Sequence, residues 1–382
     1  MRQRHFCALA VLIASALIRP VAADVAIGFA NPLSGPHATT GGRNRAAVAQ
    51  AVEDLNARGG VLGQPVRLVE ADDACGLEQA VAASRELVAA GARFVVGHLC
   101  SHSSLLAAGI YETHDVVMIS PGSTHPRLTE EGRRNVFRLI GRDDRQGAMA
   151  GDFLARHYRD SNIAIVHDGS VYGHGLAVQT RRRLRQLGVV ETLYTTYTPG
   201  AQNYAALAGR LRRHAIDVLY VGGYGPDAGV ILRNVRARGD DPQLIGGDAL
   251  GGKEFWTIAG EAGEGTIFSA RPAIRSHSDT AAQRTALRVR GGGPGAGGIG
   301  AYAAVEVWAQ AVERAGTADF AAVTDELRRG HFRTVLGTVA FDDKGDLRGA
   351  GWQMQIWSDG DYEPLDRHLA ASSTWHAPIN RR

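Results

Sequence analysis

Residues 94–124 read FVVGHLCSHSSLLAAGIYETHDVVMISPGST, and this stretch carries the pattern that decides the fold. It holds two short apolar runs, 94–97 and 116–120, and small polar residues follow each run at once. Runs of this length and composition predict buried strands, and a Pro-Gly pair ends the second one. Two such strands around a helix-sized interval indicate a βαβ unit with parallel strands.

The same alternation extends in both directions from this stretch. It predicts strands at 25–30, 66–70, 162–167, 191–197, 218–222 and 244–246. Helices are predicted at 45–55, 78–90, 172–187, 204–214, 227–238, 302–315 and 320–329, with further strands near 338–341 and 353–357 and a turn at 342–346. Two consecutive sets of α/β units predict an α/β fold with two lobes. The length of 382 residues also suits two domains.

The N-terminal segment predicts export. Residues 1–23 combine Arg2 and Arg4 with an apolar stretch and end in Val-Ala-Ala, which is the pattern of a secretory signal peptide rather than a membrane span. Removing this segment takes away three arginines and no acid, so the formal net charge falls from +3 to zero. A neutral mature chain offers no electrostatic attraction for nucleic acid or an anionic membrane.

Two cysteines remain after residue 23, Cys75 and Cys100, and in an exported chain they are most simply one disulfide. His98 and His102 flank Cys100, so the segment also has to be considered as a zinc or copper site. No second group of potential ligands accompanies it in the sequence, and we expect neither a metal nor a cofactor. A Gly-x-Gly-x-x-Gly match at residues 293–298 follows no predicted strand and does not indicate dinucleotide binding.

Enzymatic motifs are also sparse. The sequence has no P-loop, HExxH or Gly-x-Ser-x-Gly pattern. A serine hydrolase using Ser101 or Ser123 with His167 and Asp168 stays open as an alternative, although no spacing specifies a nucleophile and its base. We therefore expect a binding protein rather than an enzyme.

Small polar residues follow several of the predicted strands. They are Ser101, the Gly122–Thr124 segment, Tyr224 and Asp248. Ligands of open α/β sheets bind outside the carboxyl ends of the strands, so these residues predict one site. Backbone amides at helix starts near Ser101 and Thr124 suit a carboxylate, and Asp248 suits an ammonium group. Each residue taken alone is better explained as a helix cap, and it is their occurrence together at successive strand ends that indicates a site.

At these residues the sequence resembles the periplasmic leucine/isoleucine/valine-binding proteins of bacterial ABC transporters, which are type I solute-binding proteins. The resemblance covers nearly the whole chain after residue 23. It is carried by NPLSGP (31–36), AVEDLNARGGVLGQPVRLVEADDAC (51–75), VVGHLCS (95–101), MISPGST (118–124), IAIVHDGSVYGHGLA (163–177), VGGYGPDAG (221–229) and FDDKGDLRG (341–349).

The resemblance implies two Rossmann-like lobes joined by a three-strand hinge, with the ligand in the cleft between them. Lobe one would comprise residues 24–142 plus 274–350, and lobe two residues 143–272 plus 351–382. The family's single disulfide would join Cys75 to Cys100. No catalytic residue is implied.

The resemblance also assigns roles within the cleft. Ser101 and Thr124 would hold the ligand carboxylate, while the Gly122 carbonyl and the Asp248 side chain would hold its ammonium. The remaining residues with an implied role are the closing tyrosines, Tyr172 and Tyr224, and the side-chain pocket residues, Leu99 and Cys100.

Two positions depart from the family's aromatic pocket walls. Thr40 replaces one wall residue, and the other falls near Gly297, so the pocket would admit a larger or a more polar side chain. The function implied is capture of a hydrophobic or branched-chain L-amino acid by a periplasmic monomer and its delivery to ABC permease subunits. The alternatives are a ligand-sensing protein serving a separate receptor, and a binder of another small carboxylate or amide.

Overall fold

A computed structural model describes residues 24–272 and 298–371 of the chain, and their longer strands form two sheets. The first sheet has five parallel strands in the order β2-β1-β3-β4-β5. Its strands are β1 (Val25–Asn31), β2 (Val66–Asp72), β3 (Phe94–Gly97), β4 (Val117–Ser120) and β5 (Val136–Arg138).

Helices cover both faces of this sheet, because alternate side chains of its strands point to opposite sides. Phe94 and Val96 pack on the face that stacks Phe94 against Trp308, with ring centroids 5.1 Å apart, whereas Val95 packs on the other face. The helices around the sheet are α1 (Ala38–Ala57), α2 (Leu77–Ala89), α3 (Ser101–Glu112), α4 (Arg127–Glu130), α10 (Ile299–Ala315) and α11 (Phe320–Arg329). A hairpin of β11 (Phe332–Thr334) and β12 (Gly337–Val339) completes this part of the molecule, which is called lobe one below.

The second sheet has seven strands in the order β14-β13-β10-β9-β8-β6-β7 and forms the centre of lobe two. Its parallel part contains β6 (Ile163–His167), β7 (Leu193–Thr196), β8 (Val218–Gly222), β9 (Gln243–Gly246) and β10 (Ile267–Ala270). The last two strands, β13 (Gln353–Ser358) and β14 (Asp361–Pro364), are antiparallel to their neighbours. The surrounding helices are α5 (Asp143–His157), α6 (Val171–Gln186), α7 (Ala205–Arg213), α8 (Gly225–Arg236), α9 (Lys253–Ala259) and α12 (Leu365–Ala371).

The chain passes between the two lobes after β5, after β10 and before β13. This arrangement confirms the predicted fold class of two α/β lobes. The lobe boundaries and the hinge stay predictions. The predicted signal peptide, the glycine-rich segment with Gly297, and residues 372–382 lie outside the described residues. Within the described ranges, no helix is long and apolar enough to cross a membrane.

Most predicted strands and helices are confirmed to within two residues, and the main differences have local causes. Helix α1 begins at Ala38, seven residues before the predicted start. The prediction missed these first turns because they contain no apolar periodicity to detect. The predicted strand near 338–341 forms the short β12, whose partner β11 the sequence did not suggest. The predicted turn at 342–346 is present, closed by a bridge between Phe341 and Leu347.

Candidate functional site

A cleft of about 190 Å³ lies between the lobes, at the carboxyl ends of strands from both sheets. Residues after β3 and β4 line it from lobe one, and residues after β8, β9 and β10 line it from lobe two. Six of the eight predicted ligand-binding residues are among its lining residues: Leu99, Ser101, Gly122, Tyr172, Tyr224 and Asp248. Their contact with a ligand stays a prediction.

Thr124 and Cys100 are not among the residues that line the cleft. Thr124 is buried, and its carbonyl accepts the Asp143 N–H at 2.9 Å where the chain enters lobe two. Cys100 is fully buried at the N-terminal cap of α3. Both residues are therefore buried outside the lining in this structure, and their contact with a ligand stays a prediction.

The start of α3 supplies the electropositive side of the cleft. Ser101 is the first residue of this 12-residue helix and borders the cleft. The first amides of a helix have no partner within the helix and carry partial positive charge, so this end suits an anionic group. Gly122, after β4 in the same lobe, lies close to Leu99, and a Cβ added to Gly122 would lie 2.7 Å from Leu99 Cδ1. Glycine at position 122 lets the two lining segments approach each other closely.

Asp248 supplies the electronegative side from lobe two. Its Oδ1 accepts hydrogen bonds from Tyr172 Oη and from Gln146 Nε2, each at 2.9 Å. Burial raises the pKa of Asp248, while these two hydrogen bonds oppose the shift. A buried carboxylate with a raised pKa is stabilised by a cation brought into the cleft.

A second carboxyl group, Asp143, lies close to Asp248. Asp143 is fully buried, and burial together with the Asp248 charge raises its pKa well above the ordinary value, so its neutral form is favoured. The sequence analysis missed both Asp143 and Gln146. The available signal was their spacing, since they lie three residues apart on the buried face of α5, where apolar residues are expected.

An aromatic group closes one wall of the cleft. The rings of Tyr172 and Tyr224 have centroids 5.1 Å apart, and the Tyr224 ring lies 4.5 Å from the His37 ring of lobe one. Burial lowers the pKa of His37, which favours its neutral form. His37 therefore contributes an uncharged ring to a contact between lobes. Its role could not be predicted from the sequence, because nothing local pairs residue 37 with residue 224.

The wall that contains Thr40 is polar. Thr40 Oγ1 donates to Glu254 Oε1 at 2.7 Å, and Arg43 Nη2 lies 3.2 Å from Glu254 Oε2. Thr40 and Arg43 belong to α1 in lobe one, whereas Glu254 belongs to α9 in lobe two. The Thr40 hydroxyl proton is therefore already donated to Glu254, so a polar ligand side chain would compete with that hydrogen bond.

The predicted disulfide between Cys75 and Cys100 is confirmed, with Cα atoms 5.6 Å apart. His37 lies near both sulfur atoms, but disulfide sulfurs are not thiolate ligands for a metal. His98 binds Asp73 through Nδ1 and Tyr111 through Nε2, and His102 binds the Cys75 carbonyl. Through these hydrogen bonds the segment 98–102 stabilises the corner between β3 and α3.

Comparison with known sequences finds similar proteins that are named as binding proteins. A family model described as "Periplasmic binding protein" matches residues 24–361. A Leu/Ile/Val-binding protein homolog 1 from Brucella melitensis is 36% identical over 361 residues, which cover 94% of this chain and 97% of that protein. A leucine-, isoleucine-, valine-, threonine- and alanine-binding protein from Pseudomonas aeruginosa is 36% identical over 356 residues, which cover 93% of this chain and 95% of the relative.

Solved structures show the same two-lobed architecture. A leucine binding protein from Thermotoga maritima superposes with a TM-score of 0.80 at 25% identity, covering 89% of this chain and 97% of that one. An ABC transporter substrate-binding protein from Desulfitobacterium hafniense, solved in complex with Leu, superposes with a TM-score of 0.72 at 26% identity. That match covers 90% of this chain and 100% of the other.

Proposed function

The chain belongs to the periplasmic binding protein family, and from this we propose that it is an exported solute-binding protein that captures an L-amino acid between its lobes. The observation that carries the proposal is that one cleft has an electropositive side and an electronegative side. The amino end of α3 faces the cleft from lobe one, and the Asp248 carboxylate faces it from lobe two. An α-amino acid offers a carboxylate and an ammonium to match them.

The side chain of the proposed ligand is aliphatic and branched. This assignment is supported by the names of the Brucella and Pseudomonas relatives and by the leucine complex of the Desulfitobacterium protein. Leu99 and Ile140 provide apolar lining in the cleft. In this proposal the ligand bridges the lobes and stabilises their closed arrangement by its differential affinity for it.

Delivery to the permease subunits of an ABC importer, location in the periplasm and a monomeric state belong to the same proposal. They are supported by the family and by the predicted signal peptide. A binding role, rather than catalysis, is supported by the surroundings of Ser123, one of the two candidate nucleophiles. The Ser123 hydroxyl bonds to Ser104 and to backbone carbonyls of lobe one, while His167 lies in lobe two and accepts the Gly169 N–H.

The experiment is thermal unfolding of ligand-stripped protein against the twenty amino acids. A ligand that binds only the native state stabilises it by about 2.7 kcal/mol at a concentration of about 100 Kd, so a rise in Tm identifies it. We expect leucine, isoleucine or valine to raise the Tm. Two fragments of leucine serve as controls, 4-methylpentanoate without the amine and 3-methylbutylamine without the carboxylate, and both should bind far more weakly. A rise with 4-methylpentanoate equal to that with leucine would contradict the role of Asp248.

A further inference from the structure

Arg271 is a further charged group of the cleft, and the amino-acid proposal leaves it unused. It follows β10 and lines the cleft beside Asp248 and Gly300. Its Nη2 donates to the Leu139 carbonyl, on the segment that leads from lobe one to lobe two. Its Nη1 is buried and has no hydrogen-bond partner among the described residues. A buried donor without an acceptor is costly, and a charged donor more so.

Other polar groups on the cleft walls are already engaged with one another. Arg43, the other arginine of the lining, is paired with Glu254 and also donates to Thr40. Arg43 Nε is also buried without an acceptor, but among the lining arginines that the structure describes Arg271 is the one that has an unused donor and no ion pair.

The balance of charge points to the missing acceptor. The α-carboxylate of an amino acid would use the amino end of α3, and its ammonium would use Asp248. Burial lowers the pKa of Arg271 to about 10, while Asp248 opposes that shift, so the guanidinium stays charged at neutral pH. Once Asp248 is paired with an ammonium, Arg271 Nη1 still lacks an acceptor, and an oxygen atom on the ligand's side chain would accept its hydrogen bond.

We propose that Arg271 is a ligand-binding residue that extends the range of ligands from branched aliphatic amino acids to isosteres carrying an oxygen in the side chain. This inference rests on the proposed function. The isosteric pairs are valine with threonine and leucine with asparagine, because each pair has nearly the same shape and differs in a polar atom. The hydroxyl or carboxamide oxygen accepts the Nη1 hydrogen bond that is otherwise unmade.

The experiment is titration calorimetry of ligand-stripped protein with these four amino acids. In the wild-type protein we expect threonine and asparagine to bind within about tenfold of valine and leucine. In Arg271→Met we expect threonine and asparagine to lose at least about tenfold in affinity, which is the effect of a hydrogen bond to a charged group, while valine and leucine stay within about threefold. Arg271→Lys keeps the cation and should retain most of the threonine affinity.

Arg233→Met is the matched control, since Arg233 also donates to a backbone carbonyl, that of Ile258, outside the cleft lining. It should leave all four affinities unchanged. Equal losses for valine and threonine in Arg271→Met would overturn the inference, because Arg271 would then act on the common head group or on closure. Binding of valine and leucine by the wild-type protein, with neither threonine nor asparagine bound, would overturn it as well. Failure of all four to bind would instead refute the proposed amino-acid function.

Discussion

Single carboxylates determine much of the chemistry of this molecule, and their environments differ. Asp248 is half-buried at the cleft with a raised pKa, and its side-chain donors among the described residues are the neutral groups of Tyr172 and Gln146. Asp346 is buried within lobe one. Its pKa is lowered, because Arg138 and Arg142 form ion pairs with its carboxylate. The first arrangement leaves a charge to be satisfied by a ligand, whereas the second satisfies the charge within the fold.

Replacing Asp248 with alanine should weaken amino-acid binding by about 2 kcal/mol, or roughly 30-fold, because the ligand ammonium loses its buried partner. Calorimetry with leucine measures the loss. The ligand-free variant should be no less stable than wild type in urea, since the raised pKa shows that the ionised carboxylate is unfavourable there at neutral pH. Asp227→Asn, outside the cleft lining, is the control. Unchanged leucine affinity in Asp248→Ala would mean that no ammonium is bound at this residue.

Replacing Asp346 with alanine should destabilise the protein by about 3 kcal/mol, because it leaves Arg138 buried without its counter-charge. Arg138 is fully buried, and its Nη2 lies 2.6 Å from Asp346 Oδ1. The folded-state pKa of Asp346 is below its ordinary value of 3.8, so the stabilisation is complete above that value and is lost as the pH falls through the folded-state pKa.

Urea unfolding of wild type and Asp346→Ala therefore has to be compared at neutral pH and at about pH 3, where the difference between them should shrink. Asp343→Ala is the control, since that carboxylate lies exposed in the same turn and 3.8 Å from Arg348. A difference that stays the same at both pH values would show that packing, rather than charge, accounts for the loss.

At the scale of elements, the corner between β3 and α3 places the amino end of α3 at the cleft. Cys75, in the turn before α2, is linked to Cys100 at the cap of α3, and His102 binds the Cys75 carbonyl. Helix α1 shows a comparable constraint. Gly41 lies so close to Pro32 that a Cβ would meet the Pro32 carbonyl oxygen at 1.8 Å. Only glycine allows the first turns of α1 to pack there and to present Thr40 and Arg43 to lobe two.

Removing the disulfide in the double variant Cys75→Ser/Cys100→Ser should lower stability by about 3 kcal/mol, the usual effect of a bridge that closes a loop of this length. The bridge spans 25 residues of sequence. Urea unfolding measures the loss, and wild-type protein treated with a reductant should show the same shift. Leucine affinity should also fall, because the disulfide fixes the cap of the helix that faces the carboxylate. Full affinity in the double variant would show that hydrogen bonds alone position α3.

At the scale of the whole molecule, contacts between the lobes stabilise the arrangement that forms the cleft. Thr40 and Arg43 of lobe one meet Glu254 of lobe two, and His37 meets Tyr224. These contacts lie at the cleft itself, so the closeness of the lobes and the shape of the binding site are coupled. A ligand that bridges the lobes adds to contacts that the protein already makes.

Glu254→Gln should weaken binding of every amino-acid ligand by a similar factor, about fivefold, because it removes a half-buried ion pair that favours the closed arrangement. Calorimetry with valine and leucine measures the affinities, and small-angle X-ray scattering of the ligand-free variant should show a larger radius of gyration. Glu70→Gln removes the Arg45–Glu70 pair, whose partners both lie in lobe one, and should change neither quantity. A change of preference between valine and leucine in Glu254→Gln would contradict a role limited to closure.

The sequence by itself determined most of the strands and helices and the position of the cleft, although β5, α5, β10 and α9 were not predicted. Buried strands such as β3 and β8 are short, continuous apolar runs, so local composition is sufficient to locate them, and their exact bounds were predicted. Ser101, Gly122 and Asp248 were found because the carboxyl ends of parallel strands necessarily meet at one edge of a sheet. The two cysteines after residue 23 left one pairing, and the structure contains it.

Only the tertiary structure decided which side chains face each other across the cleft. Gln146 reaches Asp248 over 102 residues of sequence, Thr40 reaches Glu254 over 214, and Arg271 reaches the Leu139 carbonyl over 132. The spacing of Gln146 from Asp143 indicates only a buried face, and Thr40 and Arg271 carry no local pattern, so the sequence does not show which group each of them meets. Their roles depend on how the two sheets come together. The packing of the sheets depends on contacts between residues distant in sequence rather than on local periodicity.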